Sequence, residues 1–424
     1  MNLNLIGHDS QWLMVDCGVG FTQSNHPGTD PLIEMPKTSF IDQRKTSLMA
    51  LLVTHAHEDH IGAIGKLWHR WKCPLVATPF AAEVIRRRAL GRGAAVPEPI
   101  IIASPGNDKR FGSFIVRWIP MNHSTPETCA LEIETAAGRI FHTADWKIDK
   151  APVVGREFSA ARYESLGLRG VDAMISDSTN AFVDGESPSE GDVRANLIEL
   201  IRCLDGRVVV TCFSSNIARL ISLIDAAIAS ERRICLVGRS VSMMVECAKS
   251  LKMIDADLQL VDQRYVGYLP QKEVLVIATG SQGESGSGLS RLSMDTHRHI
   301  SLEKGDTVIF SSRTIPGNEG AVKTLRRRFV ENEVTVIHAE DSGPALHATG
   351  HACKAELEAM YRLIRPRVVI PVHGDSGRLI ENARIASSVG VTNTLNGVNG
   401  DLFSISPATG VSRRFCEVGR VPLV

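Results

Sequence analysis

Short apolar runs closed by Gly, Pro, Asn or charged residues recur through the first part of the chain. WLMVDCG, SLMALLVT, PLVAT, PIIIAS, SFIVRWI, TCALEIE, GRIFHTA and VDAMISD each predict a strand. Only two or three helical patterns interrupt them, among them IGAIGKLWHR, whose periodicity starts a helix at about Ile61. From about Ser187 the texture changes. SPSEGDVRANLIELIRCL opens on a capping-box-like Ser189-Glu190-Gly191-Asp192 and continues with helical spacing. GRVVVTC, RRICLVG, KEVLVIAT, DTVIFSS and EVTVIHA then alternate with helical stretches such as NIARLISLIDAAIAS and GNEGAVKTLRRRFV. That rhythm predicts βαβ units around a parallel sheet. Beyond Gly343 come a helix (CKAELEAMYRLI), a buried strand (RVVIPVH) and a second helix. The economical architecture is a sandwich over 1–184, an α/β domain inserted over 185–345, and a return to the sandwich over 346–424.

Composition narrows the function classes. Lys plus Arg and Asp plus Glu both number 47, so no global positive field gathers a polyanion, and a nucleic acid has to be held by a local cleft. The triplets Arg86–Arg88 and Arg326–Arg328 suit the solvated face of a helix better than such a cleft. The nine cysteines, an odd number with no regular framework, point to reduced thiols in a cytoplasm, and with no CxxC pair among them a structural zinc-thiolate knuckle is not expected. MNLNLIGHDSQWLMVD lacks a basic segment followed by an apolar core, and no apolar run is long enough for a membrane helix.

Chemistry concentrates at His55-Ala56-His57-Glu58-Asp59-His60, directly after a predicted strand. The spacing places these side chains on the turn between strand and helix, where a backbone held at both ends aims several of them at one point. Imidazole suits zinc, and a carboxylate serves a second cation in a two-metal hydrolytic site. Further ligands are expected at strand ends: His123 after SFIVRWIPMN, Asp145 after GRIFHTA, and His373 after RVVIPV. Asp16, closing WLMVD, suits a carboxylate that orients a histidine better than a ligand. Ser281-Gln282-Gly283-Glu284 follows a strand and precedes a predicted helix, so its amides suit either a phosphate cradle or a plain turn.

Asp16, the run His55 to His60, His123 and Asp145 resemble the ordered motifs of the metallo-β-lactamase fold. The inserted domain resembles that of the β-CASP nucleases. HAHEDHIGA, HTADWKID, SDSTNAF, VGRS, TGSQGE, TIPGNE, HATGH and PVHGD stand in the order of the ribonuclease J branch. The resemblance covers nearly the whole chain. It implies an αββα sandwich carrying a parallel-sheet β-CASP domain, and a dinuclear centre of Zn²⁺, with Mn²⁺ accepting the same donors. By resemblance, His55, His57 and His123 hold one ion, Asp59, His60 and His373 hold the other, and Asp145 bridges them. His351 is then the general acid on the departing 3′ oxygen, or a transition-state donor, positioned by Asp177.

A histidine at 373 is associated, among β-CASP enzymes, with RNA. The implied function is 5′-to-3′ exonucleolytic and endonucleolytic hydrolysis of single-stranded RNA, leaving 5′-phosphate and 3′-hydroxyl ends, in maturation and decay. His347 and Thr349 match positions that hold a 5′-terminal monophosphate. Ser281, Gln282 and Gly283, with Ser215, Asn216 and Arg239, complete the expected RNA-facing wall. Thr349 stands where the family has Ser, and Ala218 where it has His. The chain ends at GRVPLV, where the family continues into a domain that supports dimerisation, so a weakened homodimer is expected. Two rivals remain: a hydrolase of small esters, lactones or thioesters, which would need no second wall, and a non-catalytic RNA-binding relative, which the filled ligand positions disfavour.

Overall fold

The computed structural model describes residues 1–22, 32–91, 93 and 95–423. Two β-sheets face each other across a common apolar layer. The first has strands Asn4–His8, Gln11–Val15, Leu48–Leu52, Leu75–Ala77 and Ile100–Ile102 in that spatial order. The second runs Asn393–Thr394, Val368–Val372, Ala173–Asp177, Gly138–His142, Cys129–Thr135, Phe114–Pro120, Asp108–Phe111. Period-two alternation decides which face each side chain joins. Leu13, Val15, Ala50 and Leu52 meet Val116, Trp118, Ala173 and Ile175 between the sheets. Their neighbours Met14, Leu51, Ile119 and Met174 point outward, under flanking helices. Helices Ile64–Trp71 and Pro79–Gly91 cover the first sheet, and Ala160–Leu168, Lys354–Ile364 and Ser376–Ser388 cover the second.

The strands predicted across the inserted segment form one parallel sheet, ordered Arg233–Val237, Val274–Ala278, Val208–Thr211, Thr307–Phe310, Thr335–His338. Helices Glu190–Arg202, Ile217–Ala229 and Arg239–Ser250 bury their apolar stripes on one face. Gly288–Ser293 and Glu319–Glu331 cover the other. The loops bearing Ser215 and Ser281, and the helix start at Arg239, follow the C-terminal ends of these strands, the rim where open α/β sheets place ligands.

Buried charge fastens the insertion to the sandwich. Lys147 Nζ lies 2.9 Å from Asp149 and donates to the Pro188 carbonyl at 3.0 Å. Asp149 in turn accepts from Ser189 Oγ and from the Glu190 amide. Glu356 accepts from the amides of Ile148, Ser187 and Cys353, so one carboxylate joins three segments. Arg219, fully buried, donates to Glu190 and to the carbonyls of Ser311 and Leu346.

Two details depart from the sequence reading, at a helix start and at a helix cap. Helical structure begins at Glu58, not Ile61, so Asp59 and His60 lie on the short helix Glu58–Ile61 rather than on the turn. Glu58 and Asp59 fall in that helix's first turn, where carboxylates complement the exposed amides. Ser189 caps its helix through the Gly191 amide rather than through a reciprocal box, whereas Cys353 and Glu356 form both halves of one. Both arginine triplets sit on helices, and most of their guanidinium groups are ion-paired: Arg86 with Glu98, Arg87 with Glu83, Arg88 with Glu58, Arg326 with Asp341, Arg327 with Glu331. Among the described residues no helix is long and apolar enough to cross a membrane.

Candidate metal centre and its surroundings

Five chain segments end at one rim of the sandwich, and their last residues converge. His55 follows strand Leu48–Leu52, His123 follows Phe114–Pro120, Asp145 follows Gly138–His142, Asp177 ends Ala173–Asp177, and His373 follows Val368–Val372. His55, His57, His123 and Asp145 bring one donor atom each within 4.8 Å of the others, and so do Asp59, His60 and His373. His57 Nδ1 is 3.1 Å from His55 Nε2 and 3.0 Å from His123 Nε2. Asp145 stands between the two groups. Its Oδ2 lies 3.6 Å from His55 Nε2 and 3.2 Å from His60 Nε2, and its Oδ1 lies 2.8 Å from His373 Nδ1.

Outer hydrogen bonds fix which ring nitrogens point inward. His123 Nδ1 donates to the Gly350 carbonyl at 2.5 Å, which leaves the Nε2 lone pair for the cluster. Asp16 accepts from the Thr54 amide and hydroxyl, both at 2.8 Å, and from His60 Nδ1 at 2.7 Å. The Thr54 hydroxyl, having given its proton to Asp16, accepts from His55 Nδ1 at 2.9 Å. One buried carboxylate therefore orients a histidine in each donor group. Gly18 makes this packing feasible: a Cβ there would fall 1.7 Å from the Asp59 carbonyl oxygen.

Burial holds His55 and His123 well below the usual histidine range and His57 at about 4, so these rings are neutral, with lone pairs to offer. Burial opposes charge on His60 and His373 too, but Asp145 and Asp59 outweigh it, raising His60 to about 10 and His373 well above its usual value. In the second group protons thus balance the carboxylates, and a cation held there would take their place. The Asn2 side-chain amide also enters this group, with its nitrogen 2.9 Å from both Asp59 Oδ2 and His60 Nε2 and 3.4 Å from His373 Nε2. Imidazole nitrogens with pinned orientations, sharing one carboxylate, fit a pair of divalent ions.

His351 stands beside the cluster. Its Nδ1 is 2.7 Å from Asp177 Oδ2, and its Nε2 is 4.0 Å from Asp145 Oδ2. Burial opposes protonation, but Asp177 and then Asp145 outweigh it, and the pKa is raised. Asp177 is itself held by the Thr179 amide and hydroxyl at 2.9 and 2.7 Å. His347 and Thr349, both half-buried, flank buried Ala348, and His347 Nδ1 is buried without a hydrogen-bond partner. Burial, then Arg219, pushes His347 down to about 3.

The expected outer wall is less open. The Asn216 oxygen caps helix Ile217–Ala229 through the Arg219 amide, and its nitrogen donates to Glu190 at 3.0 Å, leaving neither end for a ligand. Gln282 is spent likewise, donating to the Arg313 carbonyl and accepting from the Ile315 amide at 2.9 and 2.8 Å. A cradle of amides at 281–284 meets amides already in use: Gln282 N donates to Glu284, and Gly283 N to the Gly280 carbonyl. The helix expected directly after this turn begins only at Gly288. Ser215 is half-buried and Arg239 exposed on the same rim, while Ala218 is buried. Thr54, Ser124, Thr179, Asn180 and Asn2 were not singled out by sequence, yet each bonds a residue of the centre or its flanking loops. Ser124 Oγ, for instance, lies 3.4 Å from His57 Nε2.

Known proteins resemble this chain in sequence and fold. Residues 2–148 match the Metallo-beta-lactamase superfamily, residues 205–328 the Ribonuclease J beta-CASP domain, and residues 345–392 the Zn-dependent metallo-hydrolase RNA specificity domain. A protein of unknown function from Enterococcus faecalis V583 has the same fold, with a TM-score of 0.62 at 13% identity over 93% of this chain and 94% of that one. Ribonuclease J of Sinorhizobium meliloti is 37% identical over 96% of this chain and 72% of its own length. Ribonuclease J of Mycobacterium tuberculosis is 38% identical over 98% and 75%. The chain belongs to the ribonuclease J family of metal-dependent, RNA-cleaving hydrolases.

Proposed function

We propose that this chain hydrolyses single-stranded RNA both internally and stepwise from a 5′-monophosphorylated end, releasing 5′-phosphate and 3′-hydroxyl products. The observation that carries the reading is the His351–Asp177 pair, at 2.7 Å, set against a seven-residue donor cluster. His55, His57 and His123 would hold one divalent ion, Asp59, His60 and His373 the other, with Asp145 shared; zinc suits these donors best. Bound there, the ions would supply a nucleophilic water at neutral pH and positive charge beside the phosphoryl oxygens.

The protein's own groups do the rest. Asp177 takes the Nδ1 proton of His351 in a hydrogen bond, so the second proton sits on Nε2, the nitrogen that faces Asp145. From there it passes to the 3′ oxygen as the bond to phosphorus breaks. Asp16 and the Gly350 carbonyl keep the donor rings from turning. His347 and Thr349, at the seam with the inserted domain, would receive the terminal phosphate and seat the first nucleotide, while Ser215 and Arg239 would line the approach. A hydrolase of small esters would not require this second wall.

The test uses one RNA sequence carrying a 5′-monophosphate or a 5′-triphosphate, with Zn²⁺ or Mn²⁺ supplied. Mononucleotide release from the monophosphate, slow attack on the triphosphate, and loss of both in Asp59→Ala are expected. Intact RNA alongside rapid thioester or lactone hydrolysis would overturn the proposal.

A further inference from the structure

Asn180 is buried on the turn that follows strand Ala173–Asp177, against the loop that carries His347, Thr349 and His351. Its Nδ2 lies 2.9 Å from Thr349 Oγ1 and 3.0 Å from the His351 carbonyl oxygen. A carbonyl can only accept, so the amide nitrogen must face it, and this settles which way the Asn180 side chain is turned. Both of its amide hydrogens are therefore committed.

The consequence falls on Thr349. A hydroxyl has two lone pairs and one proton. One lone pair takes the Asn180 amide, and the other takes the His351 backbone N–H at 3.3 Å. The proton is all that is left, and among the described residues it has no acceptor. A free threonine hydroxyl can turn either way towards a ligand. This one can only donate, which suits an oxygen bearing negative charge.

We infer that Asn180 presets the Thr349 hydroxyl as an anion donor and so controls how strongly the enzyme prefers a phosphorylated 5′ end. This rests on the proposal that the terminal phosphate sits at His347 and Thr349. Asn180 is a positioning residue, acting on the phosphate only through Thr349. The same amide ties Thr349 to the His351 carbonyl, so the 5′-end contact and the proton donor share one strut.

The experiment compares kcat/KM for one RNA sequence ending in a 5′-monophosphate or a 5′-hydroxyl. Wild type should favour the monophosphate. Asn180→Asp keeps size and shape but sets an acceptor against Thr349, which then turns its proton inward. The preference should fall by roughly 10- to 100-fold, the range for one lost hydrogen bond to a charged group. Asn180→Ala should move the ratio in the same direction. With Thr349→Val as background, either change should leave the ratio where Thr349→Val put it, since the hydroxyl is already gone. Equal losses on both RNAs would mark Asn180 as merely structural and overturn the inference, as would a wild-type ratio in Asn180→Asp. If wild type itself ignores the 5′ end, the proposed phosphate position fails first, and the two failures are told apart by that control. Should Asn180→Asp not fold, Asn180→Ala with the Thr349→Val background carries the same decision.

Discussion

Asp16→Asn is the sharpest probe of the centre, because it removes a charge and almost no volume. In the wild type, Oδ1 accepts one hydrogen bond and Oδ2 two, all between 2.7 and 2.8 Å, from groups that are themselves buried. An asparagine must put its NH₂ at one of those oxygens. At Oδ1 it opposes the Thr54 amide; at Oδ2 it opposes both the Thr54 hydroxyl and His60 Nδ1. Either placement leaves a buried donor unmatched, at a cost of about 1–3 kcal/mol. Loss of a partner that orients a ligating histidine typically lowers metal affinity by about 10- to 100-fold, or roughly 1.4–2.7 kcal/mol. The two figures agree, as they should if the same hydrogen bonds underlie both. Zn²⁺ or Mn²⁺ titration against a competing chelator would measure the affinity, and denaturant unfolding of the metal-free protein the stability. Wild-type affinity for both ions, in a variant of wild-type stability, would refute the assignment of Asp16 as the common support.

Further predictions address other contacts. A Cβ on Gly350 would lie 2.7 Å from His123 Cε1 and 2.9 Å from Ser124 Oγ, so Gly350→Ala should displace His123, destabilise the protein by about 1–3 kcal/mol and cut metal affinity, as read by denaturant unfolding and the same titration. Glu190→Met strands the buried Arg219 guanidinium and should cost about 3–5 kcal/mol in urea unfolding, whereas Glu190→Met with Arg219→Met should cost less than the single change. His347, held at about 3 when folded, takes up a proton on unfolding anywhere between there and its ordinary 6.5. Its contribution is therefore full above pH 6.5 and is lost as pH falls towards 3. His347→Gln should flatten the fall in stability across that window, by at most about 1.4 kcal/mol per pH unit.

The strands were legible because their pattern is a direct consequence of what each face touches. Leu13 and Val15 face the opposite sheet while Met14 faces a helix, and the sequence records that division as a strand covered on both sides. The inserted domain was equally legible: GRVVVTC and KEVLVIAT are buried strands that lie side by side in register. The start of helix Glu58–Ile61 was not, because its first turn is made of Glu58 and the donor residues Asp59 and His60 and carries no apolar period. Its position is set from outside, by Cys17 and Val19 donating to the His60 and Glu58 carbonyls. That is a tertiary constraint, invisible to a local pattern.

The same distinction separates the donor residues from the wall. His55, His123, Asp145 and His373 each stand where a strand stops, so a one-dimensional reading could already place them on one rim. What a polar side chain does on the wall depends on what lies opposite, and the resemblance supplied candidates without that knowledge. Asn216 shows the point. It stands immediately before the apolar period IARLISLI, which is the signature of a helix N-cap, and that local role is the one its oxygen fills. Its nitrogen then falls within reach of Glu190, the partner of Arg219, and the residue is consumed in holding the inserted domain together. Asn180 has the same chemistry in a different setting, with no helix to cap and a threonine hydroxyl across the gap. Two asparagines, one in a segment quoted for the family likeness and one expected on the RNA-facing wall, thus divide between site and scaffold according to which partners the fold sets before them.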